Sequence, residues 1–264
     1  MRDVPRVLTI AGSDSGAGAG IQADLKTFAA FGVYGTSVIT AITAQNTQIV
    51  DSVFEVPVEM IDAQIDTVLG DIGTDAVKIG MLSSVSIIKA VSDKIVEHDL
   101  VKLVVDPVMV AKGGSRLLEE SAVDALRTLL MPLATVVTPN IPEAEVISGS
   151  KISTLDDMKN VARVIVEMGA RSVVIKGGHM EGPATDVFYD GTNLDTFTSP
   201  RLSTTSVHGT GCTFGSAIAA GLAKNRPMKI AVREAKEYVL LAIRHAFPIG
   251  QGHGPLNHFH KVWA

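Results

Sequence analysis

Short apolar runs rich in β-branched residues recur along the chain, each closed by a turn or a polar residue: 6–11, 36–44, 76–79, 103–106, 136–138 and 172–175. Their near-continuous apolarity predicts strands covered on both faces, as in a parallel sheet. The stretches between them follow a helical period. Ile21, Leu25 and Phe28 share one face by i, i+4, i+7 spacing, and 84–98, 119–130 and 154–168 behave in the same way. Two segments differ: 186–189 and 195–199 flank Gly191 and predict an antiparallel hairpin added at the edge of the sheet. Residues 211–224 are rich in Ala and Gly, which suits a helix packed closely on the sheet, and 229–246 form a longer amphipathic helix ending near Pro248. Strands alternating with helices predict one α/β domain over 1–264, a central, mostly parallel sheet with helices on both faces.

Composition narrows the function. With 264 residues, 46% hydrophobic and 19% charged, the chain can bury a sizeable core. A net charge of -5 argues against a general polyanion binder, because nucleic-acid binding rests on clustered Lys and Arg. Any anionic ligand must therefore be held by local groups. A single cysteine, Cys212, allows no internal disulfide and no cysteine-ligated zinc. With no apolar run long enough to span a bilayer and no signal-peptide core near Arg2 and Asp3, the expectation is a cytoplasmic protein that uses neither membrane nor nucleic acid.

The strongest chemical signal is His208-Gly209-Thr210-Gly211-Cys212-Thr213, with glycines just before a predicted helix. Glycines let backbone N–H groups turn towards one point and the helix N-terminus adds its dipole, which together make an anion hole. A thiol in the first turn of such a helix has its thiolate favoured, so Cys212 reads as a base or nucleophile; a lone cysteine is more often a small buried hydrophobe. A second Gly-rich turn, 12–20, follows the first strand and is suited to cradling an anion. Within it, Gly18 to Ala23 formally match the dinucleotide fingerprint G-x-G-x-x-A, yet the acidic residue expected about twenty positions on is missing from the end of the second strand. No G-x-x-x-x-G-K-[ST] occurs, so phosphates are not held by a P-loop. Lys176 ends a strand beside Gly177 and Gly178, and Asp106, Asn140 and Glu143 also follow strands, at the edge where α/β sheets bind ligands. Such a sparse set of oxygens suffices for magnesium, which keeps several waters; equally, Asn140 and Glu143 read as the cap of the next helix. His258 and His260 lack a third ligand placed by sequence and read as a structural tail.

Taken in order, GSDSGAGAGIQADLKTF, VITAITAQNT, KIGML, VDPVMVAKGG, TPNIPEAE, VVIKGGH, HGTGCTFGSAIAA and GPLNHFH cover nearly the whole chain and resemble the hydroxymethylpyrimidine kinases within the ribokinase-like superfamily. The GTGC segment points to this branch, because sugar kinases of the superfamily carry aspartate where Cys212 stands. The resemblance implies a ribokinase-like three-layer sandwich, usually homodimeric. It also implies two successive ATP- and Mg2+-dependent reactions, on 4-amino-5-hydroxymethyl-2-methylpyrimidine and then on its monophosphate, in thiamine biosynthesis. It implies that Gln45 recognises the pyrimidine edge while Gly12, Asp24, Met81 and Val108 line the substrate pocket. Gly209, Gly211 and Cys212 would form the anion hole and base, and Lys176 would neutralise the transferring phosphate. Asp106, Asn140 and Glu143 would organise ATP-bound magnesium, with Asn140 and Glu143 as its holders, partly through water; Lys236 would lie near the nucleotide. One departure stands out: Ala17 occupies a position where the family often has glycine. The rival readings are a pyridoxal kinase of the same superfamily, an NAD(P) oxidoreductase built on Gly18 to Ala23, and a non-catalytic vitamin-precursor binder.

Overall fold

The computed structural model describes residues 4–110, 114, 117–119 and 121–263. In chain order its elements are β1 (Arg6–Asp14), α1 (Gly20–Ala30), β2 (Tyr34–Gln45), β3 (Val50–Glu55), α2 (Val58–Asp71), β4 (Ala76–Ile79), α3 (Val85–Glu97), β5 (Leu103–Val105), α4 (Ala122–Ala125), β6 (Val136–Val137), α5 (Ile141–Ser148), α6 (Leu155–Glu167), β7 (Val173–Ile175), β8 (Ala184–Tyr189), β9 (Leu194–Ser199), α7 (Thr210–Ala223) and α8 (Met228–Arg244). Among the described residues the strands form one sheet in the order β3-β2-β1-β4-β5-β6-β7-β8-β9. The run from β2 to β7 is parallel, and β3, β8 and β9 add on antiparallel.

Alternation within the apolar strands divides the interior into two cores. Leu8, Ile79, Val105, Val137 and Ile175 point to a layer holding α2, α3, α5 and α6, where Ile61, Ile88, Ile147 and Ile165 meet them. Val7, Val104, Val136 and Val174 point the other way, onto Phe28 of α1, Phe214 and Ile218 of α7 and Val232 of α8. This is the expected three-layer sandwich, and the predicted hairpin is β8–β9 at one edge.

Three elements depart from the sequence pattern. β1 runs past residue 11 to Asp14, because a register shift between Ala11 and Ser13 restores its pairing with β2 at Ile42 and Thr43. At the far edge, β3 has no buried face, so its residues lack the periodicity that marks a strand. The helix expected over 119–130, of which Glu120 lies outside the described residues, is α-helical only at Ala122–Ala125. It widens to a π turn at Leu126–Leu130 and tightens to a 3-10 turn at Met131–Leu133, where Pro132 ends it. Ala111 to Gly113 of the VDPVMVAKGG segment also lie outside the described residues.

Candidate active site

Parallel strands deliver their C-terminal ends to one edge of the sheet. Gly12 and Asp14 of β1, Gln45 of β2, Met81 after β4, Asp106 and Val108 after β5, Asn140 and Glu143 after β6 and Lys176 after β7 all border one cavity of about 830 Å³. From the opposite wall α7 presents Gly209, Gly211 and Cys212, and α8 presents Lys236. Asp24 is the exception among the expected site residues. It is completely buried and does not line the cavity. Its Oδ2 accepts from Thr9 Oγ1 at 2.6 Å and from Lys78 Nζ at 3.0 Å, and its Oδ1 accepts from Ser216 Oγ at 2.6 Å. Helix α1 turns this carboxylate into the layer beneath the cavity rather than into the cavity itself.

The two Gly-rich segments pack against each other. Gly209 has φ +80, and a Cβ there would stand 1.9 Å from Gly18 O; a Cβ on Gly18 would meet His208 Cδ2 at 2.2 Å. Residues with side chains would hold these loops apart. The anion in the first loop is the protein's own: Asp14 accepts from the N–H groups of Gly16, Gly18 and Ala19 at 2.8, 3.0 and 2.8 Å. Burial opposes ionisation of Asp14, but His208 and these N–H groups hold its carboxyl below the usual range. The donors that a dinucleotide would need are thereby occupied, which overturns the fingerprint reading of Gly18 to Ala23. His208 Nε2 lies 2.9 Å from Asp14 Oδ2, so the carboxylate fixes the ring proton on Nε2. The Gln45 amide lies 3.3 Å from that nitrogen and 3.1 Å from Thr43 Oγ1.

At the other end of the cavity Lys176 Nζ donates to Asp106 Oδ1 at 2.8 Å, and Thr138 Oγ1 donates to the same oxygen at 3.2 Å. Burial disfavours the Lys176 charge, yet Asp106 and then Glu143 outweigh it and keep the ammonium protonated. A Cβ on Gly211 would stand 3.1 Å from Lys176 Nζ, so the bare glycine backbone is what lets the helix N-terminus approach that cation. Asn140 and Glu143 form a capping box on α5: Glu143 N donates to Asn140 Oδ1 at 2.9 Å and Asn140 N donates to Glu143 Oε2 at 2.8 Å. Burial pushes the Glu143 carboxyl up to about 7, with Lys176 pulling it down and Asp106 pushing it further up. Lys236 is engaged by Asp186 at 2.7 Å and by Ala184 O at 2.8 Å.

The expectation of a favoured thiolate at Cys212 is corrected by the structure. Burial pushes the thiol up to about 11, and the nearby Lys78 only partly offsets it. The helix N-terminus does not prevail over desolvation here. Lys78 and the Asp14–His208 pair carry only faint signals in the sequence, a charged residue inside an apolar strand and a histidine beside glycines. The tail holds α7 in place. His258 Nε2 lies 2.9 Å from Thr213 Oγ1, and His258 O accepts from Tyr238 OH at 2.7 Å. Burial pushes His258 down to about 4, so it is neutral.

Comparison with known proteins shows the family. The sequence profile of phosphomethylpyrimidine kinase matches residues 14–257. The chain is 48% identical over 266 residues to the hydroxymethylpyrimidine/phosphomethylpyrimidine kinase of Haemophilus influenzae, covering 98% of each. It is 51% identical over 253 residues to the thiamine biosynthesis bifunctional protein ThiED of Geobacter sulfurreducens, covering 96% of this chain and 52% of that one, so it spans about half the length of that relative. Among solved structures, the ADP complex of Bacillus subtilis pyridoxal kinase superposes with a TM-score of 0.92 at 43% identity, covering 99% of this chain and 100% of that chain. The fold is thus ribokinase-like, and the chain belongs to the phosphomethylpyrimidine kinase family.

Proposed function

We propose that Cys212, the glycine backbone around it and Lys176 form the phosphoryl-transfer centre of this kinase, whose reactions are the ATP-dependent phosphorylation of 4-amino-5-hydroxymethyl-2-methylpyrimidine and then of its monophosphate. The observation that carries this is the meeting, in one cavity, of a glycine-lined helix N-terminus, a partly buried lysine and an amide suited to an aminopyrimidine edge. In the first reaction the hydroxyl proton passes to Cys212 Sγ as the substrate oxygen bonds to the γ-phosphorus. The bond from that phosphorus to the β–γ bridging oxygen breaks, ADP leaves, and the thiol returns its proton to solvent. Lys176 and the N–H groups of the α7 terminus face the negative charge on the transferring group, where fixed donors do most for the rate. Gln45 offers an acceptor and a donor side by side to the exocyclic amino group and ring nitrogen of the pyrimidine.

Magnesium suits the oxygen donors of Asn140 and Glu143. A buried carboxyl reluctant to ionise beside Asp106 is one that a hard cation would relieve. These two residues would hold the ion, partly through water, and it would neutralise charge on the nucleotide phosphates; Asp106 acts through its pair with Lys176. A homodimer is favoured by the β2–β3 edge, where the cross-strand partners Ile42 and Phe54 are exposed together. We place the enzyme in the cytoplasm. Among the described residues no helix is long and apolar enough to cross a membrane.

Mass analysis of products from ATP-Mg and the aminopyrimidine alcohol tests the assignment. Successive gain of one and then two phosphoryl groups is expected, and absence of ADP release would overturn it. Pyridoxal belongs in the same assay, because a pyridoxal kinase shares the fold so closely.

A further inference from the structure

Lys78 borders the cavity, and the chemistry above gives it no part. It stands on β4 with its side chain completely buried. Among the described residues its ammonium makes one hydrogen bond, the 3.0 Å contact to Asp24 Oδ2. Thr9 of β1 and Ser216 of α7 hold Asp24 from the other sides, so the carboxylate that holds the ammonium is itself fixed, while among the described residues two of the ammonium protons have no hydrogen-bond acceptor. A buried lysine with donors unspent calls for a reason. Helix α7 supplies one. Ser216 lies one turn beyond Cys212, and a Cβ on the intervening Gly215 would stand 3.7 Å from Lys78 Cε, so the helix backbone descends onto the lysine; Lys78 and Cys212 border the same cavity.

We propose that Lys78 is a positioning residue for Cys212: held by Asp24 beneath the thiol, its ammonium is the fixed counter-charge for the thiolate that receives the substrate's proton. This rests on Cys212 acting as the base. The groups facing the sulfur are Lys78 from β4, Asp24 from α1, Asp106 after β5 and Lys176 after β7, together with the Gly20 N–H. Burial raises the thiol most, Lys78 is the largest influence in the opposite direction, and Asp24 and Asp106 raise it further. Burial also opposes the charge on Lys78, but Asp24, Cys212 and Asp106 outweigh it and keep the ammonium protonated.

Cys212 is the only cysteine, so iodoacetamide alkylation followed by mass across a pH series reports its ionisation alone. Lys78→Met is expected to move the alkylation midpoint to higher pH and Asp24→Asn to lower pH. The first phosphorylation should follow in Lys78→Met, with kcat falling about tenfold at neutral pH for each pH unit the midpoint moves. Its KM for the pyrimidine should change little, and its rate should recover as pH rises. A pair with a merely structural role would shift both variants in one direction or neither. If Lys78→Met does not fold, the double variant Lys78→Gln/Asp24→Asn removes both charges without orphaning either, and its midpoint should also lie above that of the unmodified enzyme. An unmoved midpoint in a folded Lys78 variant would overturn the proposal. A midpoint that moves while the rate does not follow would instead retire Cys212 as base, and with it the part of Lys78 in catalysis.

Discussion

If Cys212 receives the hydroxyl proton, its loss should separate the two phosphorylations. The first nucleophile is an alcohol that must shed a proton, whereas the second is a phosphate oxygen already largely ionised at neutral pH. Cys212→Ala should therefore lose about 10² to 10⁴ in the first step and far less in the second, read from single-turnover rates with the alcohol and the monophosphate. Equal losses would assign Cys212 to the anion hole rather than to proton transfer. The thiol, pushed up to about 11, also sets a sign for pH. Only its deprotonated form can act, so the first step should rise about tenfold per pH unit from neutrality and level off above that value; a flat profile would show that no such group limits the rate. If Gln45 recognises the pyrimidine edge, Gln45→Leu would leave two ligand groups unpaired at a cost of about 1 to 3 kcal/mol each. Pyridoxal lacks that donor–acceptor edge, so the ratio of kcat/KM for the pyrimidine over pyridoxal should fall. An unchanged ratio would remove Gln45 from specificity.

Among the elements, the loop between β1 and α1 carries a strain visible already in the sequence. Ala17 has φ 59, in the left-handed region, and its carbonyl accepts from Lys26 Nζ at 2.8 Å. That conformation costs an L-residue about 1 to 2 kcal/mol, partly offset in Ala17→Gly by the greater freedom of unfolded glycine. Thermal melting of Ala17→Gly should show a midpoint raised by about 2 to 4 °C, with turnover preserved; a lower midpoint would mean that the alanine methyl supports the loop more than its backbone strains it. The placement of the site was legible for the same reason as the strands: residues following parallel strands share one edge, and Asp106, Asn140 and Lys176 were found there from order alone. What spacing does not give is the direction of a side chain. Asp24 sits on the right helix yet faces the layer below, and the charge of Lys78 within β4 gains its meaning only when α1 and α7 close over it. β3 is not legible because a strand with both faces in water has no period to read, and the thiolate expectation fails because a motif marks a helix terminus without revealing what surrounds it.

At the scale of the whole molecule, the β2–β3 edge predicts assembly. Phe54 is 66% exposed and its cross-strand partner Ile42 50%, an apolar surface on the edge strand of the sheet. Sedimentation should find a dimer, and Phe54→Lys should shift it towards monomer; a monomeric unmodified chain would show that this edge stands alone. The stitching of the site has a further consequence, for how the protein is made. Asp14 meets His208 across 194 positions, Asp24 meets Ser216 across 192, and α7 is then pinned by His258. Contacts of such separation are slow to form, because long loops must close before anything rewards them. On a ribosome, the first half of the chain can build β1, β2, β4 and β5 but has nothing with which to complete the cleft. The enzyme should thus stay inert and acquire catalysis abruptly, only once α7 and the segment around His258 are free of the exit tunnel, so that a chain stalled or released before that point consumes no ATP.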